Sequence, residues 1–255
     1  TTIVYPRGNS YEFSVLFDTG TYAAHYVETI LNHFSDWSSR LSWSASLSSS
    51  LELIKRNEKF GENCYSYNSK SIIEILARKS PNNALVNNGD VWSYGDLWSE
   101  AEKLSLELKG YALIKNEAVG IDVQSTINFT LSMLAVWIAG GVTCSVDRRY
   151  PKGRKEFIYN NAGVRFVFVS KDGLKIEKRL EFKESKTIEA GASFILHTSG
   201  SGGEPKGVVQ THHCLLNLIN WNKESFGLSS NERILQLSSF GFDASFHEIL
   251  LALSL

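Results

Sequence analysis

Helical and strand-forming segments alternate along most of the chain, and this pattern limits the available folds more than any other feature. Apolar residues at helical spacing mark five segments, 71–79, 96–109, 126–139, 152–161 and 212–221. Short β-branched and apolar runs lie among them, at 119–123, 164–169, 193–198 and 233–238. Such alternation is typical of a parallel sheet covered by helices. The sequence therefore predicts an α/β fold with a largely parallel sheet.

The charge balance argues against broad electrostatic roles. The 255 residues include 26 basic and 27 acidic side chains, a formal net charge of -1. A protein with this balance has no overall field that would gather nucleic acid, so we expect no nucleic-acid partner. Cys64, Cys144 and Cys214 are an odd number of widely spaced cysteines. They fit reduced packing residues in a cytoplasmic protein better than a disulfide framework or a zinc site.

Two stretches invite other interpretations. The segment from Val123 to Val146 has no charge and is long enough to cross a bilayer. Its first half is polar, however, its apolar residues recur at helical spacing, and Gly140-Gly141 interrupts the pattern. We predict a buried helix followed by a short strand, and no membrane partner. The charge-rich stretch from Lys171 to Lys186 is expected to be a solvated connection and not a ligand site.

A glycine-rich segment follows the apolar run 193–198 and reads T-S-G-S-G-G-E-P-K-G from Thr198 to Gly207. Its glycines allow the backbone to close on a ligand, so that successive N–H groups can point at phosphate oxygens. Hydroxyl groups add donors, and Lys206 adds a mobile positive charge. A flexible surface loop is the alternative, but the preceding strand and the following Lys-Gly favour phosphate binding.

This loop resembles the phosphate loop of adenylate-forming enzymes, which include acyl-CoA synthetases, luciferases and the adenylation domains of nonribosomal peptide synthetases. The match extends over F-I-L-H-T-S-G-S-G-G-E-P-K-G-V-V-Q-T-H, residues 194–212, and His212 corresponds to the family's histidine at the start of a helix. Gly202 departs from the usual Thr or Ser. V-W-S-Y-G-D-L at 91–97 and the block 139–151 are also similar, although Ser145 replaces a usual proline.

The segment F-G-F-D-A-S-F-H-E-I at 240–249 resembles the F-D-x-S-x-x-E motif of peptide synthetase adenylation domains. The resemblance implies that Asp243 binds the α-amino group of an amino acid, and that Ala244 and His247 line the substrate pocket. Two alternatives remain open from the residues themselves. Asp243 can instead be the N-cap of the following helix, and His247 can be an ordinary helix histidine.

The N-terminal part has a different texture. Residues 26–41 have the apolar spacing of an amphipathic helix, and serine dominates from Ser38 to Ser50. The stretch from Phe13 to Phe34 is similar to the closing strand and last helix of a condensation domain. We therefore predict a condensation-domain tail at 1–50, a linker at 51–70 and an incomplete N-terminal portion of an adenylation domain at 71–255.

Together these resemblances identify the chain as a fragment of a nonribosomal peptide synthetase. They imply that the parent uses ATP and Mg²⁺ to activate an amino acid and passes it to the phosphopantetheine thiol of a neighbouring carrier domain. The residues implied to contact the ATP phosphates are Thr198, Ser199, Gly200, Ser201, Gly202, Gly203 and Lys206. No catalytic residue or metal ligand is assigned. An acyl- or aryl-CoA ligase and a non-catalytic nucleotide-binding or scaffold module are the alternatives, and we expect negligible ATP–pyrophosphate exchange from the fragment alone.

Overall fold

The computed structural model describes residues 2–7, 10–15, 28, 32, 72–77, 82–87, 89–171, 173–180, 182, 186–198, 205–230 and 232–255. The chain divides into two compact units, Thr1–Ser66 and Tyr67–Leu255. In the first unit, β1 (Thr2–Arg7) and β2 (Ser10–Val15) form an antiparallel hairpin. Glu28 and Asn32, within the predicted amphipathic helix, are helical and exposed. The serine-rich stretch and the predicted linker lie outside the described residues.

The second unit contains a small hairpin and a six-stranded sheet. The hairpin pairs β3 (Asn83–Asn87) with β4 (Asp90–Ser93). The strands of the large sheet are β5 (Ala118–Asp122), β6 (Val142–Ser145), β7 (Phe166–Ser170), β8 (Leu174–Lys178), β9 (Ala192–Thr198) and β10 (Lys206–Thr211). Their spatial order is β10-β9-β6-β5-β7-β8. The four inner strands are parallel, and β10 and β8 pair antiparallel at the two edges. The predicted parallel-rich sheet is confirmed.

Helices cover both faces of this sheet. They are α1 (Ile72–Leu76), α2 (Tyr94–Gly110), α3 (Thr126–Ile138), α4 (Lys152–Ala162), α5 (His212–Phe226) and α6 (Asp243–Ser254). Because side chains alternate along a strand, Ile121 and Phe194 join the larger core, with residues of all the helices except α4. Val167 and Ile195 point the other way, into a smaller core formed with α4.

Local sequence signals set the helix ends. Ser93 and Asp96 form a reciprocal capping box at the start of α2, and Thr211 caps α5 by accepting from the amide of Cys214. Gly163 and Gly227 end α4 and α5 in the left-handed conformation, with φ of 70° and 59°. A residue with a Cβ is strained there, which explains glycine at both positions.

The uncharged stretch forms the predicted buried helix and short strand, α3 and β6. Gly140, with φ of 85°, makes the turn between them. Among the described residues, no helix combines the length and apolar character that crossing a bilayer requires. Cys144 of β6 is buried as predicted, and burial raises the pKa of its thiol to about 12. Cys214 is exposed, so the prediction that it packs in the core is wrong; Cys64 lies outside the described residues.

Two predictions of secondary structure are wrong. The charge-rich stretch is not only a connection, because it contains β8, whose Leu174 and Ile176 pack against the larger core. The run 233–238 is not a strand, and the amides of Leu237 and Ser238 donate to the Glu248 carboxylate instead of to a neighbouring strand. The first prediction fails because β8 pairs with β7 at the edge of the sheet. The second fails because a side chain, and not a strand, accepts the hydrogen bonds of the run 233–238.

Candidate functional site

The two ends of the glycine-rich loop are held side by side. β9 ends at Thr198 and β10 begins at Lys206, and these two residues are antiparallel partners. Both residues are exposed. Residues 199–204, with the predicted phosphate contacts of Ser199, Gly200, Ser201, Gly202 and Gly203, lie outside the described part of the chain. The described end at Thr198 lies at the carboxyl edge of the parallel strands, where ligands bind in open α/β sheets.

Close packing fixes the base of this loop. A Cβ on Gly207 would lie 3.2 Å from Nε2 of His197 and 3.3 Å from Oδ1 of Asn161, so only glycine fits without displacing them. The same two atoms of His197 and Asn161 are 3.0 Å apart and link β9 to α4. Burial, and then the nearby Arg154, lower the pKa of His197, which keeps its imidazole neutral near pH 7. This pair was not predicted, because its members are 36 positions apart and neither carries a local signal of the other.

His212 begins α5, as the resemblance implies. Its ring meets Trp137 edge to face, with centroids 4.8 Å apart. Burial lowers the pKa of His212 to about 4, so the side chain is neutral at physiological pH. It therefore contributes packing, and no positive charge, behind the loop.

The predicted substrate residues lie together at the start of α6. Phe242 is the N-cap and Asp243 is the first helical residue, so the alternative that makes Asp243 the N-cap is wrong. Its carboxylate accepts from the amide of Ala244 at 2.9 Å, and both residues are exposed. His247 lies on the same face four residues on. Its Nε2 is buried without a hydrogen-bond partner in the described part of the chain, and burial lowers its pKa.

Hydrogen bonds from the end of β6 hold the segment before Asp243. Ser145 Oγ donates to the carbonyl of Phe240 at 2.6 Å. Asp147 accepts from the Ser239 hydroxyl and from Nη2 of Arg149, the latter at 2.7 Å. The Arg149 guanidinium holds the pKa of Asp147 well below its usual range, with a further contribution from Ser239. Ser145, a departure from the family pattern, thus positions the approach to Asp243.

A second set of bonds reaches the same segment from α6. The carboxylate of Glu248 accepts from the amides of Leu237 and Ser238, each at 3.0 Å, and from the Ser238 hydroxyl at 2.6 Å. Burial alone would raise the pKa of Glu248, but the bonds from Ser238, Leu237 and Gln236 outweigh it and lower the pKa. Glu248 occupies the acidic position of the quoted motif, and its role in fixing the backbone was not predicted.

An aromatic cluster connects α6 to β9, the strand that precedes the glycine-rich loop. Phe246 of α6 is fully buried and stacks on Phe194 of β9, with ring centroids 4.2 Å apart and planes at 14°. Trp137 lies 6.5 Å from Phe246 and also contacts His212. The start of α5, the loop strand and the helix of Asp243 therefore share one rigid core. Among the described residues, no group of three or more His, Cys, Asp or Glu side chains is placed to hold a metal ion.

Comparison with known proteins agrees with this arrangement. Residues 74–193 and 181–255 match the model of the family described as AMP-binding enzyme. Surfactin synthase subunit 1 of Bacillus subtilis (strain 168) is 26% identical over 199 residues, which cover 69% of this chain and 6% of that protein. Gramicidin S synthase 1 of Brevibacillus brevis is 28% identical over 202 residues, or 71% of this chain and 18% of that protein. The chain thus spans a small part of these relatives.

The fold has counterparts among solved structures. The N-terminal subdomain of Klebsiella oxytoca NpsA, in complex with 3-hydroxybenzoyl-AMSN, superposes with a TM-score of 0.61 at 23% identity. The match covers 73% of this chain and 52% of that one. This match shows the same fold. Because the family model covers more than half of the chain, the chain belongs to the AMP-binding enzyme family.

Proposed function

We propose that this chain forms part of a nonribosomal peptide synthetase whose adenylation domain activates an amino acid with ATP. The single observation behind the choice of an amino acid is the carboxylate of Asp243. It is exposed at a fixed helix start and has no cation within ion-pair distance in the described part of the chain. An α-ammonium group would supply the missing charge, and a substrate without one would leave the carboxylate unpaired in a closed pocket.

In the proposed reaction, an oxygen of the substrate carboxylate attacks the α-phosphorus of MgATP. The new O–P bond forms as the bond from the α-phosphorus to the bridging oxygen breaks, and pyrophosphate leaves with the electron pair. Thr198, Ser199, Gly200, Ser201, Gly202, Gly203 and Lys206 are the proposed contacts to the β and γ phosphates. Such a loop acts by positioning the phosphates and offsetting their charge.

The proposed partners follow from the same function. The aminoacyl-AMP would be transferred to the phosphopantetheine thiol of a neighbouring carrier domain, with a condensation domain preceding the linker. Mg²⁺ would arrive with ATP as part of the substrate. We propose a cytoplasmic location, in keeping with the free thiols of Cys144 and Cys214.

The test is ATP–pyrophosphate exchange by a longer synthetase containing this segment, driven by amino acids and by their deaminated analogues. We expect exchange with amino acids only, and a loss of roughly 100-fold in kcat/KM for Asp243→Ala, since a desolvated ammonium loses its counter-charge. Asp90→Ala, which removes an exposed carboxylate at the first residue of β4, is the matched control. Equal exchange with deaminated analogues and no effect of Asp243→Ala would establish the acyl- or aryl-CoA ligase alternative.

Gly202 stands where the family usually has Thr or Ser, and this difference provides a test of the non-catalytic alternative. Calorimetric titration of ATP into the same protein should show binding, and Gly202→Thr should strengthen it by restoring a hydroxyl donor. Absence of binding in both proteins would favour a scaffold module over an enzyme.

A further inference from the structure

A cavity of about 520 Å³ lies between α4 and the β7–β8 hairpin. Asp122 and Ser170, at the carboxyl ends of β5 and β7, form one side of it. β7 is three strands from β9 in the sheet, so roughly 14 Å separate these two strands at ordinary strand spacing. The volume is in the range of small-molecule sites.

The walls of this cavity carry an excess of positive charge. Each of its acidic side chains is already paired, in the ion pairs Asp122–Lys155 at 2.8 Å, Glu156–Arg179 at 2.5 Å and Glu177–Lys171 at 3.8 Å. Three cationic side chains remain, and they are exposed and make no hydrogen bond or ion pair within the part of the chain that the structure describes. They are Arg148, Lys152 and Lys178. An anionic ligand would therefore meet three uncompensated positive charges.

The hydroxyl of Tyr159 provides a second, independent sign of a ligand. Tyr159 lines the cavity, is only 4% exposed, and its hydroxyl has no hydrogen-bond partner among the described residues. Its ring packs over β5, where a Cβ on Gly120 would come within 3.0 Å of a ring carbon. Leaving a buried hydroxyl unpaired costs free energy, so such groups are rare unless a ligand or water uses them.

Most of the charged groups that act on this hydroxyl belong to the cavity wall. Burial raises the pKa of Tyr159 most, and Asp122, Cys144 and Glu156 raise it further, while Arg179 lowers it. Asp122, Glu156 and Arg179 line the cavity together with Tyr159. The raised pKa means that Tyr159 keeps its proton and can act only as a neutral donor or acceptor at physiological pH.

Other groups at the cavity are also donors. Ser170 Oγ accepts from Nδ2 of Asn128 at 2.9 Å, which leaves its own hydrogen free to donate. α4 begins at Lys152, and no acidic residue lies in its first turn to offset the positive end of the helix dipole. Val167 and Val169 add apolar wall beside the charged groups.

We propose that this cavity binds a phosphate-bearing small molecule, with the phosphate held by Lys152, Lys178 and the Tyr159 hydroxyl. A doubly charged phosphate matches the unpaired cations better than a carboxylate does, and the volume leaves room for an organic group against the valines. None of the described residues that line the cavity belongs to the glycine-rich loop, and the proposal does not depend on the proposed adenylation reaction.

The experiment is calorimetric titration of pyrophosphate into the 255-residue chain carrying Lys206→Gln, which removes the loop's cation. We expect saturable binding of one pyrophosphate per chain. Lys152→Gln with Lys178→Gln should weaken it at least about tenfold, since two charge-assisted contacts are lost. Tyr159→Phe should weaken it about fivefold without changing charge. Circular dichroism of each variant checks that the fold is retained.

Matched controls separate a built site from general charge attraction. Lys109→Gln with Lys115→Gln removes two exposed cations outside the cavity, and Tyr111→Phe removes an exposed hydroxyl. Both should leave the dissociation constant within about twofold at constant ionic strength. The proposal is overturned if the Lys206→Gln chain shows no saturable binding, or if the control lysine pair weakens binding as much as the cavity pair does.

Discussion

Substitution of Glu248 by Gln should loosen the segment that leads to Asp243. Oε2 of Glu248 accepts from the amides of Leu237 and Ser238 at 3.0 Å, and Oε1 accepts from the Ser238 hydroxyl at 2.6 Å. Gln has nearly the same shape but is neutral and has one acceptor oxygen. In the best arrangement that oxygen keeps both amides, and each bond loses its charge assistance. At about 1 kcal/mol for each bond, the loss is about 2 kcal/mol.

Hydrogen–deuterium exchange of a peptide covering residues 234–242 measures this loss directly. About 2 kcal/mol corresponds to roughly 30-fold faster exchange of the Leu237 and Ser238 amides when they exchange by local opening. Glu224→Gln, on the exposed surface of α5, is the control and should leave this peptide unchanged. If Glu248→Gln has no greater effect than Glu224→Gln, the carboxylate does not hold the segment and the positioning role assigned to it is wrong.

The pH dependence gives a second test of the same bonds. The folded-state pKa of Glu248 is below its ordinary value of 4.5, so the ionised carboxylate stabilises the fold fully above pH 4.5. This contribution is lost as the pH falls through the lowered folded-state pKa. The two amides should therefore lose protection in acid in the wild-type chain, and Glu248→Gln should remove that pH dependence.

Three further predictions concern stability. Glu117→Ala should lower the free energy of unfolding by about 3–5 kcal/mol, because it leaves the mostly buried Arg165 without its carboxylate partner. Urea titration measures this change, and a loss below about 1 kcal/mol would contradict the prediction. Burial holds the pKa of His212 at about 4 instead of 6.5, so the free energy of unfolding should fall as the pH drops from 6.5 towards 4. His212→Gln should reduce this pH dependence, whereas the control His213→Gln, at an exposed position, should leave it unchanged. Tyr159→Phe should raise the unfolding free energy by about 1 kcal/mol in phosphate-free buffer, because an unpaired buried hydroxyl is removed, and a decrease would show that the hydroxyl has a partner.

Local patterns in the sequence were sufficient where the fold depends on neighbouring residues. The apolar spacing of α3 and the Gly140-Gly141 break predict a helix and a strand because both signals act within one segment. The five residues of β8 were missed, since Lys175 and Glu177 alternate with Leu174 and Ile176 in a stretch dominated by charge. Only its pairing with β7 makes such a segment a strand, and pairing is not visible in local composition.

The run 233–238 is the opposite case, because a strand is predicted there and the structure has none. This short apolar run is typical of a strand, but Leu235 and Leu237 are 71% and 78% exposed in the structure. Such a run forms a strand only when a neighbouring strand pairs with its amides and a core covers one of its faces. In the described part of the chain, the Glu248 side chain takes the place of that neighbour for Leu237 and Ser238.

The candidate site also combines features that local sequence predicts with features that it does not. A phosphate loop needs contiguous glycines and hydroxyls, so its chemistry is visible in about ten residues of sequence. The groups that hold the site are not contiguous: Ser145 reaches Phe240 across 95 positions, and Asp147 reaches Ser239 across 92. A serine or an aspartate at such a position carries no local signal of its partner. Since these bonds hold the segment before α6, a match of the motif at 240–249 alone does not determine the geometry of the proposed substrate site. Variants of Ser145 and Asp147 should therefore alter the KM for the proposed amino-acid substrate in ATP–pyrophosphate exchange, although neither residue is a proposed contact to it.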